Sequence, residues 1–322
     1  EDDMAEAAGW AAGQGLPLLV LGGGSNLLVA DRGFDGLVLH VALRGVAVEE
    51  RAGERIYRVA AGEEWEHFVQ RTIQDECAGL ECLAGIPGSV GGTPVQNVGA
   101  YGQEVASSIE RVRAYDLRQS VWVEFEAAEC GFAYRRSRFN GADRGRYIVT
   151  RVDYRVTPGG APTVRYRDLK AELEAQEVGD PSLAQVADAV RAVRRRKGML
   201  LVEDDPDCRS AGSFFKNPVV SAEQVSRVAT TAGQEPPQFP AGAEAGAAGG
   251  VKLPAAWLIE RAGFQKGYAR GAAGISSRHT LALINRGGAT AAEVLGLAEE
   301  IAAGVEARFG VRLEREPVLA GF

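Results

Sequence analysis

The chain is 322 residues long, 46% hydrophobic and 25% charged, the composition of an ordinary soluble globular protein with room for two or three domains. A formal net charge of -7 argues against a general nucleic-acid partner, which needs a basic face. No apolar run reaches the roughly 18 residues that span a bilayer and no signal peptide is visible, so a cytoplasmic enzyme without membrane insertion is expected.

In chain order, Met4, Ala8 and Ala11 recur at helical spacing and predict an N-terminal helix. The apolar run Leu16 to Leu21 is of buried-strand type and leads into Gly22-Gly23-Gly24-Ser25-Asn26, followed by Leu27-Leu28-Val29. Strand, glycine turn and apolar segment make a phosphate-loop arrangement, although neither a Walker Gly-Lys-Ser/Thr nor a GxGxxG fingerprint is present. With a further strand at Leu37 to Val41, residues 1–43 read as one small α/β unit. Short alternating strands follow, such as Ile56 to Ala60 and Tyr147 to Val152, with one helix from Trp65 to Asp75.

Between these strands lies Ala84 to Gly102, nineteen residues with six glycines, two prolines and no charged side chain. A solvated linker would carry Ser, Lys and Glu. Here Ile86, Val90, Val95 and Val98 interleave with Ser89, Thr93, Gln96 and Asn97, as in a buried, tightly folded loop. Glycine lets backbone N–H groups converge on an anion such as a pyrophosphate, so the segment reads either as a nucleotide-cofactor cradle or as a packed turn. The first glycine loop, about sixty residues upstream, favours the cradle, because a dinucleotide is long enough to need holding at more than one point.

From Pro181 a helix places Leu183, Val186, Val190 and Val193 on one face and ends in Arg194-Arg195-Arg196-Lys197, cations suited to a helix C-terminus. The acidic run Glu203-Asp204-Asp205 is expected in a solvated loop, as is the Ala-, Gly- and Glu-rich stretch from Ala241 to Gly250. A last helix carries Val294, Ala298, Ile301 and Val305 on one face. The four cysteines, Cys77, Cys82, Cys130 and Cys208, lack zinc-type spacing, so free thiols and no metal site are expected.

Six motifs in order carry a family resemblance: Gly22 to Asn26, Ile86 to Gly102, Tyr134-Arg135, Ser210 to Pro218, Val251 to Gly263, and Leu313-Glu314-Arg315-Glu316. From about Leu18 to its end the chain resembles the UDP-N-acetylenolpyruvoylglucosamine reductases, flavoenzymes that make UDP-N-acetylmuramic acid for bacterial peptidoglycan. The resemblance implies an α+β protein with a FAD-binding fold of the vanillyl-alcohol oxidase type. Two α/β FAD-binding subdomains would occupy 1–43 and 44–180, and a C-terminal α+β substrate domain 181–309, with 310–322 completing the first subdomain. It also implies a further strand segment ahead of Glu1. FAD would be held by Gly22, Gly23, Gly24, Ser25, Asn26, Pro87, Gly88, Ser89, Gly91, Gly92, Thr93 and Asn97. The implied partners are UDP-N-acetylenolpyruvoylglucosamine and, as co-substrate, NADPH, with the protein a monomer.

The same resemblance implies the chemistry, reduction of an enol ether in which NADPH reduces the flavin, hydride reaches substrate C3, and C2 is then protonated. Arg135 would grip the substrate carboxylate as it becomes enolate-like, Ser213 would protonate C2, and Glu316 would support that transfer, Glu314 being the rival register. Tyr134 would join in substrate binding, Tyr166 would contact the diphosphate from a loop that closes over the substrate, and Lys197 would face the diphosphate or carboxylate. Asn217 would bond substrate or Ser213, while Phe214 and Phe215 would pack. Without the motifs, Ser213 reads as a turn serine, Arg135 as a surface arginine and Tyr166 as a core tyrosine. A flavin oxidase of the same fold has no use for Arg135, Ser213 and Glu316 together, and a non-catalytic paralogue would lose one of them.

Overall fold

A computed structural model describes residues 1–241 and 250–322, so most of the predicted Ala241 to Gly250 loop lies outside the described residues. The chain forms two units, one made of Glu1–Gly24 with Phe34–Arg195 and the other of Ser25–Gly33 with Arg196–Phe322. The boundaries expected at 43 and 180 therefore both fall inside the first unit.

The first unit is organised by the long strand Tyr147–Pro158, which pairs antiparallel with Glu54–Ala60 on one side and Ile109–Asp116 on the other. Val46–Arg51 and Val121–Glu126 close the two edges, and Cys77–Ala78 pairs with the far end of the central strand. The period-2 alternation of a half-buried sheet explains its two faces. One face buries Val112, Ile148, Val152, Tyr154 and Val156. The other presents a ladder of ion pairs, Arg58 with Glu49, Arg111 with Glu126, and Arg151 with Glu124 and Asp153. Onto the apolar face packs the helix Trp65–Gln74, whose Trp65, Phe68, Val69 and Thr72 recur at helical spacing and are all buried. The Trp65 and Phe68 rings lie 5.8 and 5.0 Å from that of Tyr154.

Helix Asp2–Gly13 buries the predicted Met4, Ala8 and Ala11, and the strands Leu18–Leu21 and Leu37–His40 pair in parallel. The helix Leu183–Arg196 inserts Val186, Ala187 and Val190 into this unit's core.

In the second unit, Ser210–Ser213 is the edge of a four-stranded antiparallel sheet continued by Ala282–Asn285, Ala273–Ile275 and Ala269–Arg270. Helix Ala291–Phe309 buries Val294, Leu297, Ala298, Ile301 and Val305, starts at a Thr290–Glu293 capping box and stops at Gly310 with φ 65°. The strand Val318–Ala320 runs parallel to Leu27–Val29, and both strands belong to this second unit. Phe214 and Phe215 are buried at its centre, as expected. Among the described residues no helix is long and apolar enough to cross a membrane, all four cysteines are free, and no group of three acidic, His or Cys residues could hold a metal.

Candidate active site

The two predicted glycine loops meet inside the first unit. A Cβ placed on Gly23 would stand 2.6 Å from the Gly88 Cα, and one on Gly22 would stand 2.6 Å from the Ser89 Oγ. At Gly23 glycine is therefore demanded by backbone lying against backbone, whereas at Gly22 the obstacle is a side-chain hydroxyl. Gly91 is similarly constrained by the protein, its amide donating to the Ala61 carbonyl at 2.8 Å. Gly92 differs, because a Cβ there would enter open space. Among the described residues the amides of Gly22, Gly23, Gly24, Gly88 and Ser89 meet no protein acceptor. Unpaired main-chain N–H groups at a glycine seam are what a pyrophosphate needs, so these loops fit FAD.

Other residues expected on the cofactor build the loop instead with their side chains. The buried Thr93 hydroxyl bonds the Val90 carbonyl at 2.8 Å and the Tyr154 hydroxyl at 2.6 Å. Asn97, left-handed at φ 40°, donates to the Ala133 carbonyl at 2.8 Å and accepts from the Ala106 amide at 3.2 Å. Contacts from these two to a cofactor would come from the main chain. Ser25 and Asn26 belong to the second unit, where the Asn26 amide donates to the Glu316 carbonyl at 3.4 Å.

Arg135 sits in the first unit on a tight loop at φ 53°. Its guanidinium donates to the Gly99 carbonyl at 2.5 Å and the Asn97 carbonyl at 3.4 Å, and lies 5.4 Å from the Tyr134 ring centre. The second glycine loop thus orients the arginine. The arginine's own carbonyl accepts from Asn140 at 3.2 Å, and Ser137 ties the same loop to the Val95 carbonyl at 2.8 Å.

Tyr166 immediately precedes helix Arg167–Ala175 and is 39% exposed, which removes the core-tyrosine reading. Its ring stands edge-on to that of Tyr101, 5.4 Å away at 86°. Burial raises the Tyr166 hydroxyl above its ordinary range, with Asp168 adding to it, and burial pushes Tyr101 up to about 12 against the pull of Arg194.

In the second unit the chain segment Glu314–Glu316 runs beside the strand end that carries Ser213. The Glu316 amide donates to the Phe214 carbonyl at 3.0 Å, and the Lys216 amide to the Glu314 carbonyl at 2.9 Å. This places Glu316 against the residue after Ser213. The Glu314 carboxylate points outward, 75% exposed, and pairs with Lys216 at 2.6 Å. Ser213 is half-buried and its hydroxyl makes no hydrogen bond among the described residues, which also sets aside the turn-serine reading. Asn217 accepts from the Ala255 amide at 2.9 Å, where helix Ala255–Arg261 begins. Lys197 directly follows helix Leu183–Arg196.

The sequence reading missed the residues that brace the glycine loop. The Gly85 peptide is gripped on both sides, its amide donating to Glu66 at 2.5 Å and its carbonyl accepting from Arg194 at 3.0 Å. Glu66 also accepts from Arg191 at 2.7 Å. Arg194 is therefore no surface cation at a helix end: burial lowers its pKa, opposed by Tyr101 and Glu66. The available signal was its spacing, four residues after Val190 on the apolar stripe.

Residues 1–121 match the model of an FAD binding domain family, and the mixed α and β structure around the glycine seam agrees with it. The molecule is thus an FAD-binding flavoprotein of the α+β class. Residues 204–320 match the model described as the C-terminal domain of UDP-N-acetylenolpyruvoylglucosamine reductase. Proteins named UDP-N-acetylenolpyruvoylglucosamine reductase from Thermobifida fusca and Streptomyces coelicolor are 49% and 48% identical over 315 residues, covering 95% of this chain and 86% and 80% of theirs. The crystal structure of the reductase of that name from Thermus caldophilus superposes with a TM-score of 0.62 at 26% identity, over 97% of this chain and 88% of that one. The chain belongs to the UDP-N-acetylenolpyruvoylglucosamine reductase family and is an oxidoreductase.

Proposed function

We propose that this protein reduces UDP-N-acetylenolpyruvoylglucosamine to UDP-N-acetylmuramate, with bound FAD and with NADPH as electron source, as a cytoplasmic monomer in peptidoglycan precursor synthesis. The observation that carries this reading is a Ser213 hydroxyl without a hydrogen-bond partner among the described residues, with the Glu316 main chain docked on the next residue, in a chain 49% identical to a reductase of that name. Residues 1–43 and 44–180 would serve the cofactor, and 181–309 the substrate.

Bound FAD would supply the two-electron chemistry between the nicotinamide and the enol ether. The Gly22–Gly24 and Gly88–Ser89 amides would hold its pyrophosphate. Arg135 would receive the substrate carboxylate. A guanidinium stays charged and matches a carboxylate with two parallel bonds, and the Gly99 and Asn97 carbonyls fix its plane in advance. As negative charge moves from C2 into that carboxylate, a fixed cation stabilises the change without reorganising. Ser213 would then deliver its proton to C2. A hydroxyl is a poor acid, so it serves only against a strongly basic carbon, and freedom from hydrogen-bond partners among the described residues lets it turn toward one. Glu316 would support that transfer, while Tyr166 and Lys197 would meet the diphosphate, and Tyr134 and Asn217 would flank the substrate.

The test separates the half-reactions of Ser213→Ala under anaerobic conditions. Bleaching of the flavin by NADPH is expected at the wild-type rate, and recovery of colour on adding the enolpyruvyl substrate is expected to slow at least about a hundredfold. Recovery at the wild-type rate would remove Ser213 as the proton donor.

A further inference from the structure

Glu81 is a fully buried carboxylate that takes no part in the chemistry above. Three donors converge on it. The Gly79 amide approaches one oxygen at 2.8 Å, while the Gln103 side-chain amide and the Thr163 main-chain amide approach the other at 2.7 and 2.8 Å. Thr163 is held on its other side too, because its carbonyl accepts from the Cys82 thiol at 3.0 Å. Burial pushes that thiol up to about 12, with Glu81 adding to the push, so it stays protonated and able to donate. Gln103 closes the ring by accepting from the Cys82 amide at 2.8 Å.

The two chain segments tied to Glu81 are the ones that carry the edge-to-face tyrosines. Gln103 lies two residues after Tyr101, and Thr163 lies three residues before Tyr166. One buried carboxylate thus sets the spacing between the roots of both segments. We propose that Glu81 is a positioning residue that holds Tyr166, through Thr163 and against Tyr101, in the place from which it meets the substrate's diphosphate. This rests on the reading of Tyr166 given above.

All three partners donate, and a carboxamide offers one acceptor oxygen and one donor nitrogen. In Glu81→Gln at least one of the three N–H groups must face another N–H, an unsatisfied buried pair. The expected result is a rise in KM for the enolpyruvyl substrate on the order of tenfold, with the rate of flavin reduction by NADPH unchanged. Amide exchange across residues 159–166 should quicken in the same variant, measured by hydrogen–deuterium exchange with mass spectrometry. A merely structural role would instead slow both half-reactions and leave exchange in that segment no faster than elsewhere, and either result overturns the proposal.

Tyr166→Ala supplies the second arm. If Glu81 acts through Tyr166, adding Glu81→Gln to Tyr166→Ala raises KM no further, whereas additive effects contradict the inference. A wild-type KM in Tyr166→Ala alone would overturn the reading of Tyr166. A raised KM there with a normal one in Glu81→Gln would overturn only the role of Glu81. Should Glu81→Gln fail to fold, Gln103→Met carries the test, with the same KM rise expected in smaller measure and its absence counting against the proposal.

Discussion

Gly23→Ala and Gly92→Ala separate what the protein requires of its glycine loops from what a cofactor requires. At Gly23 the new methyl carbon would lie 2.6 Å from the Gly88 Cα, 2.9 Å from the Gly88 carbonyl carbon and 3.1 Å from the Ser89 nitrogen. That is about 0.8 Å short of ordinary contact, and the obstacle is backbone, which cannot rotate aside. The two loops must part, at a cost of about 1–3 kcal/mol as for other overpacked sites. At Gly92 the same methyl meets nothing within 4 Å, and the residue holds an ordinary helical φ of -77°. Alanine there should leave the apoprotein as stable or more so, by about 0.5 kcal/mol through the unfolded state. Urea unfolding of the apoprotein and FAD titration by quenching of flavin fluorescence read the two effects apart. Gly23→Ala is expected to lose both stability and FAD affinity, the latter by about tenfold for each 1.4 kcal/mol. Gly92→Ala is expected to keep its stability and lose FAD affinity, on the proposal that FAD fills the open space beside it. Full FAD affinity in both variants would refute the reading of the seam as a cofactor cradle.

Three further outcomes follow from the geometry. Arg135→Lys keeps the charge but loses the planar fork held by the Gly99 and Asn97 carbonyls, so kcat/KM for the enolpyruvyl substrate should fall by about a hundredfold or more with FAD content unchanged. Arg194→Met removes the buried guanidinium that donates to the Gly85 carbonyl, and chemical denaturation should register a loss of about 2 kcal/mol. The third concerns acid stability. Arg278 holds Asp205 below the ordinary carboxylate range, and bonds from Ser277 and Arg278 outweigh burial to hold Asp207 low as well. A depressed folded pKa gives stability that is present above the unfolded value near pH 4 and is lost as pH falls through the folded values. Thermal melts should therefore fall steeply below about pH 4, and Asp207→Asn should flatten that fall while lowering the melting temperature at neutral pH.

The helices were legible because their apolar periodicity is local: Met4, Ala8 and Ala11, and Val294, Ala298, Ile301 and Val305, are all buried as their spacing predicts. Strand identities were legible too, but the pairing of Tyr147–Pro158 with Glu54–Ala60, Cys77–Ala78 and Ile109–Asp116 depends on partners far away in the chain. The glycine loops stood out because charge-free glycine clusters are rare outside tight folds. That the two touch could be guessed only from an expected ligand. Arg135, Ser213 and Glu316 were picked out by motif, since a serine, an arginine and a glutamate have many commoner uses. Structure adds what the motif lacks, the outward, exposed position of the Glu314 carboxylate and its ion pair with Lys216. Glu81 and Arg194 escaped because a buried charge is recognised by its partners, and those lie 82 residues on, at Thr163, and 109 residues back, at Gly85.

The most direct test is a visible absorption spectrum of the purified, FAD-loaded protein without oxygen, recorded after NADPH and again after UDP-N-acetylenolpyruvoylglucosamine. The account predicts that NADPH bleaches the flavin bands and that the enolpyruvyl sugar nucleotide restores them in stoichiometric amount. Bands that bleach but return only when oxygen is admitted would contradict it, leaving a flavoprotein whose acceptor is not this substrate.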